Sequence, residues 1–413
     1  MALYGLLGGT LGHSFSPQIH NLLASYEYRL FPMPEEDVKP FLEKHEFEGI
    51  NVTIPYKETV IPYCDSLSDS AKKLKSVNTI IVKDSKLHGD NTDYYGFTYM
   101  VKNAGIVVND KKCIVLGSGG SSKTICAVLK DLGASGVTVI SRSGEDNYNN
   151  IDRHYDADII VNTTPVGMYP KTGVSCITLD NFKNCKGVLD IIYNPAKTKL
   201  ILDAQRLGIP HSNGLPMLVA QAKKACELFL DKKINDSEIN RIVKIIENQT
   251  KNIILIGMPG SGKSSVGKII AEKLQREFID TDDEIERIAE KPIPQIFEED
   301  GEEKFREIET RALEESSKLS GKIIATGGGI VKLERNHNLL KQNSIIVFLA
   351  RDSEKLSTDN RPLSKDADTL KMLYDERIAF YKALCDFEID SNNTVEDAVN
   401  SLLEVTGYEN PCN

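Results

Sequence analysis

Two stretches of the chain share one pattern: a short continuous apolar run, a glycine-rich turn, then apolar positions spaced three and four apart. The run reads as a buried strand of a parallel sheet, and the spacing as an amphipathic helix. In the first stretch Cys113–Leu116 is the strand, Gly117-Ser-Gly-Gly-Ser-Ser the turn, and Ile125, Val128, Leu129 and Leu132 the buried helix face. Gly133 ends that helix, and Val137–Ile140 is the next strand. In the second, Ile253–Ile256 is the strand, GMPGSGKS from Gly257 to Ser264 the turn, and Val266, Ile269, Ile270 and Leu274 the buried stripe. Between them DADIIVNTTP and KGVLDIIYNP predict two more buried strands, and Leu218–Leu230 and Glu238–Glu247 predict helices. Each stretch implies its own parallel sheet, so the fold class is α/β. The polar run Asn248–Asn252 marks the boundary and, without Gly or Pro, is too short for a flexible tether.

With 413 residues, 40% of them hydrophobic, the chain has material for two or three cores. Fifty Lys and Arg against 60 Asp and Glu give a net charge of -10, so no general basic surface grips nucleic acid or anionic lipid. Anionic ligands must therefore be held by local clusters. No apolar run approaches the ~20 residues that span a bilayer, and the start, MALYGLLGGTLGHS, lacks signal-peptide character. A cytoplasmic location is expected, and the oligomeric state is left open. The eight cysteines are scattered without a C-x-x-C pair, which predicts reduced thiols and neither a disulfide framework nor a structural metal site.

Both turns carry phosphate chemistry. Helix N-terminal amides behind a glycine turn bind anions, and the Gly117 turn is a G-x-G-x-x-G in which Ser122 stands for the third glycine. The next strand ends in Ser141-Arg142-Ser143, where NAD-binding sites usually place an acid for the ribose 2′-hydroxyl. An arginine there suits a 2′-phosphate, hence NADP. The competing reading of Arg142 is a solvated charge at a strand end, with Glu145 and Asp146 close behind. Gly257–Ser264 fits G-x-x-x-x-G-K-[ST] between a strand and a helix, a P-loop for ATP. Backbone amides around Gly260, Ser261, Gly262, Ser264 and Ser265 cradle the phosphates, Lys263 reaches the β and γ phosphates, and Ser264 coordinates Mg2+.

Upstream, GHSFSPQIHN, GINVTIPYKE and GDNTDYYGF, with SVNT, NTTPVGM, DIIYNPAKTKL and NGLPMLVAQA in order, make Leu3 to Lys233 resemble shikimate dehydrogenase. The resemblance implies reduction of 3-dehydroshikimate by NADPH. It implies a substrate domain split over 1–92 and 214–247, around a Rossmann-like NADP domain at 93–213. It makes Lys57 and Asp93 the catalytic pair, and places Ser14, Ser16, Thr53, Asn78, Asp93, Tyr193 and Gln221 around the substrate. The cofactor residues it implies are Gly117, Ser118, Gly119, Gly120, Ser121, Ser141, Arg142, Ser143 and Gly214. A lysine ammonium suits that reaction, because the carbonyl oxygen becomes an alkoxide that it stabilises and protonates, while Asp93 holds the lysine. Lys57 as a surface lysine and Asp93 as a helix cap is the bland alternative. Three departures stand out. Lys75-Ser76 replaces a usual Gly-Ala, and Ser141-Arg142-Ser143 replaces Asn-Arg-Thr. Only about 15 residues separate Ser143 from the next strand, where the family has a further helix and strand, so the cofactor domain is trimmed. The family's second phosphate-holding arginine has no match, Arg153 lying too far downstream.

In the last third FIDTDDEIE, GEEKFREIE, ATGGGIV, NRPL and ERIAFY follow in an order that resembles shikimate kinase over Lys251 to Asp390, with a P-loop domain at 248–413. The resemblance places Asp280 with Mg2+, Asp282 on the acceptor hydroxyls and Arg306 and Arg377 on the substrate carboxylate. It assigns Gly327, Gly328 and Gly329 to the loop that admits the ring, and Arg361 to a lid over the phosphates. Two guanidiniums can hold a carboxylate bidentately, and a carboxylate can orient the attacking 3-hydroxyl. Arg306 in an acidic helix also reads as an ion-pair partner of Glu303 or Glu309. Glu290 replaces a usual glycine, and RPLS replaces RPLL.

The product implied for the first half is the acceptor implied for the second. The expectation is a bifunctional enzyme that makes shikimate with NADPH and phosphorylates it with MgATP. The alternatives are a quinate/shikimate dehydrogenase using NAD, and a dehydrogenase whose P-loop module only senses nucleotide. A nucleic-acid-binding scaffold has no supporting basic pattern.

Overall fold

The computed structural model describes residues 3–12, 14–356 and 367–408. Two units are present: Met1–Val166, Ser175–Tyr193 and Asp203–Ile245 form the first, and Gly167–Val174, Asn194–Leu202 and Ile246–Asn413 the second. Among the described residues no helix is long and apolar enough to cross a membrane, and the cysteines are free thiols.

The first unit opens with β1 (Leu3–Gly8), α1 (Ser16–Leu23), β2 (Glu27–Pro32), α2 (Glu35–Lys44), β3 (Gly49–Val52), β4 (Ser66–Leu67), α3 (Asp69–Leu74), β5 (Thr79–Lys83) and β6 (Lys86–Asp90). These strands form one sheet in the order β2-β1-β3-β5-β6-β4. β1 pairs parallel with both β2 and β3, and β5 and β6 make an antiparallel hairpin. Asp84 and Ser85, at φ 52 and 59, form the two-residue turn with both residues left-handed, the twist that suits a tight hairpin. Leu7, Val38, Leu42, Ile50, Val77 and Ile80 pack its core. Pro17 sits in the first turn of α1, where its missing N–H costs nothing.

The chain then enters α4 (Asp93–Asn103) and a second sheet from β7 (Lys112–Leu116), α5 (Gly120–Asp131), β8 (Gly136–Ile140), β9 (Ile159–Asn162), β10 (Gly187–Asp190), α6 (Lys199–Arg206) and β11 (His211–Ser212). All pairings are parallel, in the order β11-β10-β9-β7-β8. The order reverses beside β7, so the glycine turn after it opens on the crevice where such sheets bind ligands. A single 3-10 turn, Ile151–His154, links β8 to β9, as expected of the trimmed domain. The chain returns through α7 (Leu215–Leu230) to pack on α4. A Cβ on Gly96 of α4 would stand 2.7 Å from the Met217 carbonyl, so the glycine permits this close approach.

The last helix before the second glycine turn, α8 (Ser237–Thr250), corrects the expected boundary. Asn248 to Thr250 are helical, not a link, because the Arg276 guanidinium donates to the Asn248 and Lys251 carbonyls and satisfies the helix end.

The rest of the second unit comprises β12 (Asn252–Ile256), α9 (Lys263–Leu274), β13 (Phe278–Asp280), α10 (Thr281–Ala289), α11 (Ile293–Glu299), α12 (Gly301–Ser317), β14 (Ile323–Ala325), α13 (Glu334–Lys341), β15 (Ser344–Ala350), α14 (Ala367–Leu384), β16 (Phe387–Asp390) and α15 (Val395–Thr406). Its sheet is wholly parallel, in the order β13-β14-β12-β15-β16. β12 is buried along its whole length, with Ile254 and Ile256 in one core and Ile253 and Leu255 in the other. Glu290, standing where the resemblance expects glycine, caps α10 in the left-handed conformation at φ 55.

Candidate active sites

The first site is a cavity of about 250 Å3 in the first unit, lined by Ser14, Ser16, Thr53, Lys57, Asn78, Asp93, Tyr193 and Gln221. Every substrate-side residue expected for this half reaches it. Lys57 follows β3, and Asp93 is the first residue of α4. Lys57 Nζ donates to Asp93 Oδ2 at 2.6 Å. Asp93 is buried while Lys57 is half-exposed toward the cavity, so the carboxylate supports an ammonium that remains accessible. Asn78 Oδ1 accepts from the Thr92 amide at 2.7 Å, which fixes the orientation of its side-chain amide. Ser14 and Ser16 hydroxyls lie 3.0 Å apart. The Gln221 Oε1 is buried with no partner, an acceptor left for something in the cavity. Burial raises the Tyr193 phenol above its ordinary pKa, keeping it a hydrogen-bond donor.

Asn51 and His20 are among the lining residues that the sequence did not mark. Asn51 lies on β3, where its Oδ1 accepts from the Tyr28 hydroxyl at 2.8 Å and its Nδ2 donates to Thr79 Oγ1 at 3.0 Å. A polar residue in an otherwise apolar strand was the available signal. His20 is 1% exposed, stacked on Tyr28 with centroids 4.0 Å apart, and burial lowers its pKa to about 3.

Around the crevice of the second sheet, Gly117 has φ 100, and a Cβ there would meet Thr164 at 2.8 Å. Gly119 and Gly120 face open space, so a ligand's phosphates can approach the amides opening α5. Ser118 is exposed and Ser121 half-buried beside them. Ser122 is buried in the first turn of α5, where its small side chain takes the place of the third glycine. Ser141 is buried at the end of β8, and Arg142 and Ser143 are exposed beyond it. Gly214 has a packing reason: a Cβ would stand 2.0 Å from the Ile191 carbonyl.

The second site is a cavity of about 820 Å3 in the second unit. Gly257, Gly260 and Gly262 take φ values of 148, 84 and 93, which side chains rarely adopt. The loop so formed wraps Lys263, whose Nζ donates to the Gly257 and Met258 carbonyls at 3.0 and 2.8 Å. The buried Ser261 hydroxyl has no partner, and Ser264 and Ser265 are exposed to the cavity. Ser264 Oγ donates to Asp280 Oδ2 at 2.6 Å. Asp280 also caps α10 by accepting from the Asp282 amide at 3.1 Å.

Asp282 is exposed as a residue, yet its Oδ1 lies 3.0 Å from where a Gly327 Cβ would stand. Crowding by protein atoms partly desolvates its carboxyl, and this with the charges of Asp280 and Glu309 lifts its pKa to about 6 against the pull of Lys263. Gly329 gives the Arg306 guanidinium its place, for a Cβ would meet Nη1 at 2.3 Å. Arg306 pairs with Glu309 at 2.8 Å and Glu302 at 3.1 Å, so it is an ion-pair partner and a wall of the cavity at once. Arg377 is 3% exposed with an unpartnered Nε. Gly328 is anchored by the Tyr381 hydroxyl, which donates to its carbonyl at 2.5 Å. Phe297, Phe305 and Arg351 also line the cavity and were not expected from the sequence; the two rings lie 4.5 Å apart. Arg361 lies outside the described residues.

Known proteins resemble the chain in the same two parts. The family model for the shikimate dehydrogenase substrate binding domain matches residues 6–80, and that for shikimate kinase matches residues 259–406. A shikimate dehydrogenase (NADP(+)) of Clostridium beijerinckii is 37% identical over 270 residues, covering 61% of this chain and 100% of that protein. Among solved structures, a chorismate mutase/shikimate 5-dehydrogenase fusion protein from Clostridium acetobutylicum has a TM-score of 0.57 and 34% identity. It covers 60% of this chain and 97% of that one. The shikimate 5-dehydrogenase of Thermus thermophilus in complex with NADP(H) and shikimate has a TM-score of 0.55 and 26% identity, covering 59% of this chain and 99% of that one.

Proposed function

Because the chain belongs to the shikimate dehydrogenase family and carries a shikimate kinase domain behind it, we propose that its two cavities make and then phosphorylate one metabolite, each with its own residues. The chain is a bifunctional enzyme of the shikimate pathway, NADP-dependent in its first activity and ATP-dependent in its second. The observation that supports the residue assignment best is the 2.6 Å pair of Lys57 and Asp93 in a cavity whose other polar groups are mostly neutral.

In the first cavity Ser14, Ser16, Asn78 and Gln221 hold the ring hydroxyls and carboxylate of 3-dehydroshikimate through neutral hydrogen bonds, with Thr53 and Tyr193 closing the pocket. The Lys57 ammonium faces the ketone oxygen. It stabilises the negative charge that grows there and delivers a proton, while Asp93 holds it in place. Gly117 to Ser121 would hold the phosphates of NADPH and Arg142 with Ser143 its 2′-phosphate, and the bound cofactor would supply the hydride.

In the second cavity Arg306 and Arg377 grip the shikimate carboxylate, and Gly327 to Gly329 leave room for the ring against Phe297 and Phe305. Asp282 accepts from the 3-hydroxyl and orients it, and its raised pKa suits proton acceptance. Lys263 and the loop amides offset charge on the ATP phosphates, which supply the transferred group. The paired oxygens of Ser264 and Asp280 fit Mg2+. Mg2+ held there would take its other ligands from water and phosphate, so two protein oxygens would suffice where no cluster of three His, Cys, Asp or Glu occurs among the described residues.

One experiment tests both activities: NADPH absorbance with purified protein and 3-dehydroshikimate, without and with MgATP, followed by mass analysis of the products. Shikimate without ATP and its 3-phosphate with ATP are expected. Shikimate in both tubes refutes the kinase assignment, and unchanged NADPH refutes the dehydrogenase assignment.

A further inference from the structure

The link between β8 and β9 bears on cofactor choice. Residues just past β8 meet the adenosine ribose in folds of this kind, where an acid bonds the 2′-hydroxyl of NAD and an arginine accommodates the 2′-phosphate of NADP. Here both kinds of residue follow the strand within six positions: Arg142, then Glu145 and Asp146. A carboxylate free to meet the ribose would repel the 2′-phosphate and cancel the benefit of Arg142.

The loop turns Asp146 back to the strand end, because the Ser141 amide donates to its carbonyl at 3.1 Å. The turn is tight: a Cβ on Gly144 would stand 2.8 Å from Ser141 Oγ and 3.1 Å from the Asp146 carbonyl oxygen. The Asn147 amide donates to Asn150 Oδ1 at 2.8 Å, and Asn150 Nδ2 donates to the Glu145 carbonyl at 2.9 Å, so the loop satisfies its own backbone. The 3-10 turn Ile151–His154 then returns the chain, and His154 Nε2 donates to Asp146 Oδ1 at 2.7 Å. Both side chains are partly buried, 20% and 32% exposed, so the pair is held more firmly than a surface contact. The next residue back, Arg153, makes no such bond to this carboxylate.

We propose that His154 is a positioning residue for cofactor selection: by holding the Asp146 carboxylate it keeps that acid from the ribose, leaving Arg142 to read a 2′-phosphate. This rests on the reading of the first unit as a dinucleotide-dependent dehydrogenase.

The test compares kcat/KM for NADPH and for NADH, with saturating 3-dehydroshikimate, in the full chain. His154→Ala frees the carboxylate, and the NADPH/NADH ratio is expected to fall about tenfold, as for a like charge brought near a phosphate. The KM for 3-dehydroshikimate and the kcat at saturating cofactor should stay as in the parent. Adding Asp146→Asn should restore the ratio, which mere loss of loop structure would not allow. An unchanged ratio in His154→Ala, or a fall that the double variant does not recover, overturns the proposal. Should His154→Ala not fold, Asp146→Asn alone decides: a ratio kept at the parent value supports it, and an increased ratio, which would mean that the carboxylate already meets the ribose in the parent, or a reduced one overturns it. A parent protein that prefers NADH also overturns it, leaving the dehydrogenase reading intact. A parent that oxidises neither cofactor refutes that reading instead.

Discussion

Replacing His20 by glutamine should remove about 2 kcal/mol of the stability that the dehydrogenase unit loses between pH 7.5 and pH 5.0. His20 is 1% exposed, and its Nδ1 lies 2.5 Å from the Tyr26 hydroxyl. Burial lowers its pKa from 6.5 to about 3, so the folded unit keeps the imidazole neutral while the unfolded chain protonates it below pH 6.5. The contribution to stability is therefore fully present above 6.5 and is lost as pH falls from 6.5 toward about 3. Between pH 7.5 and pH 5.0 the unfolded state gains about 1.5 pH units of proton binding that the folded state lacks, or about 2 kcal/mol. Urea inactivation of 3-dehydroshikimate reduction at the two pH values reads this, with the midpoint of the parent falling by roughly 1 M more than that of His20→Gln. Glutamine still offers the Tyr26 hydroxyl a partner but cannot titrate, and every other titrating group is common to both proteins. Equal midpoint shifts in the two would refute a neutral buried His20.

Three further outcomes are expected. Lys57→Met should lower the rate of 3-dehydroshikimate reduction by about 10²- to 10⁴-fold and leave shikimate phosphorylation by the same sample intact, and Lys263→Met should do the reverse; equal loss of both activities in a folded variant rules out independent sites. Gly329→Ala places a methyl 2.3 Å from Arg306 Nη1 and must push the guanidinium aside, so the KM for shikimate in the kinase assay should rise about tenfold with little change in melting temperature; an unchanged KM removes Arg306 from the carboxylate site. Gly214→Ala drives a Cβ to 2.0 Å from the Ile191 carbonyl, which cannot swing away as a side chain would, and should cost about 1–3 kcal/mol in the urea midpoint of dehydrogenase activity; a neutral effect contradicts the packing described for the start of α7.

What the sequence determined by itself was local. Strand, glycine turn and helix were legible at Cys113–Leu132 and Ile253–Leu274 because hydrophobic period and glycine placement act over a few residues. The shortened link after β8 was legible as a residue count. The motif residues could be named from their order along the chain. Only tertiary structure decided which of them meet: Lys57 and Asp93 are 36 residues apart and become a 2.6 Å pair because the segment after β3 and the first turn of α4 meet at the same cavity. Arg306 read first as a residue that clamps the substrate carboxylate and second as a helix-surface ion pair, and packing against Gly329 makes it both an ion-pair partner and a cavity wall. The polar run after Asn248 read as a link, and the Arg276 guanidinium, distant in sequence, makes its first residues the end of α8. Asn51, His20, Phe297 and Arg351 gave no decisive signal, because a residue joins a cavity wall through the packing of strands and helices that its neighbours in sequence do not specify. Arg153 lay too far downstream to serve as a second phosphate-holding arginine, and nothing in the sequence marked its neighbour His154, which the 3-10 turn presents to Asp146 because the pitch of a single turn selects which adjacent side chain faces the loop.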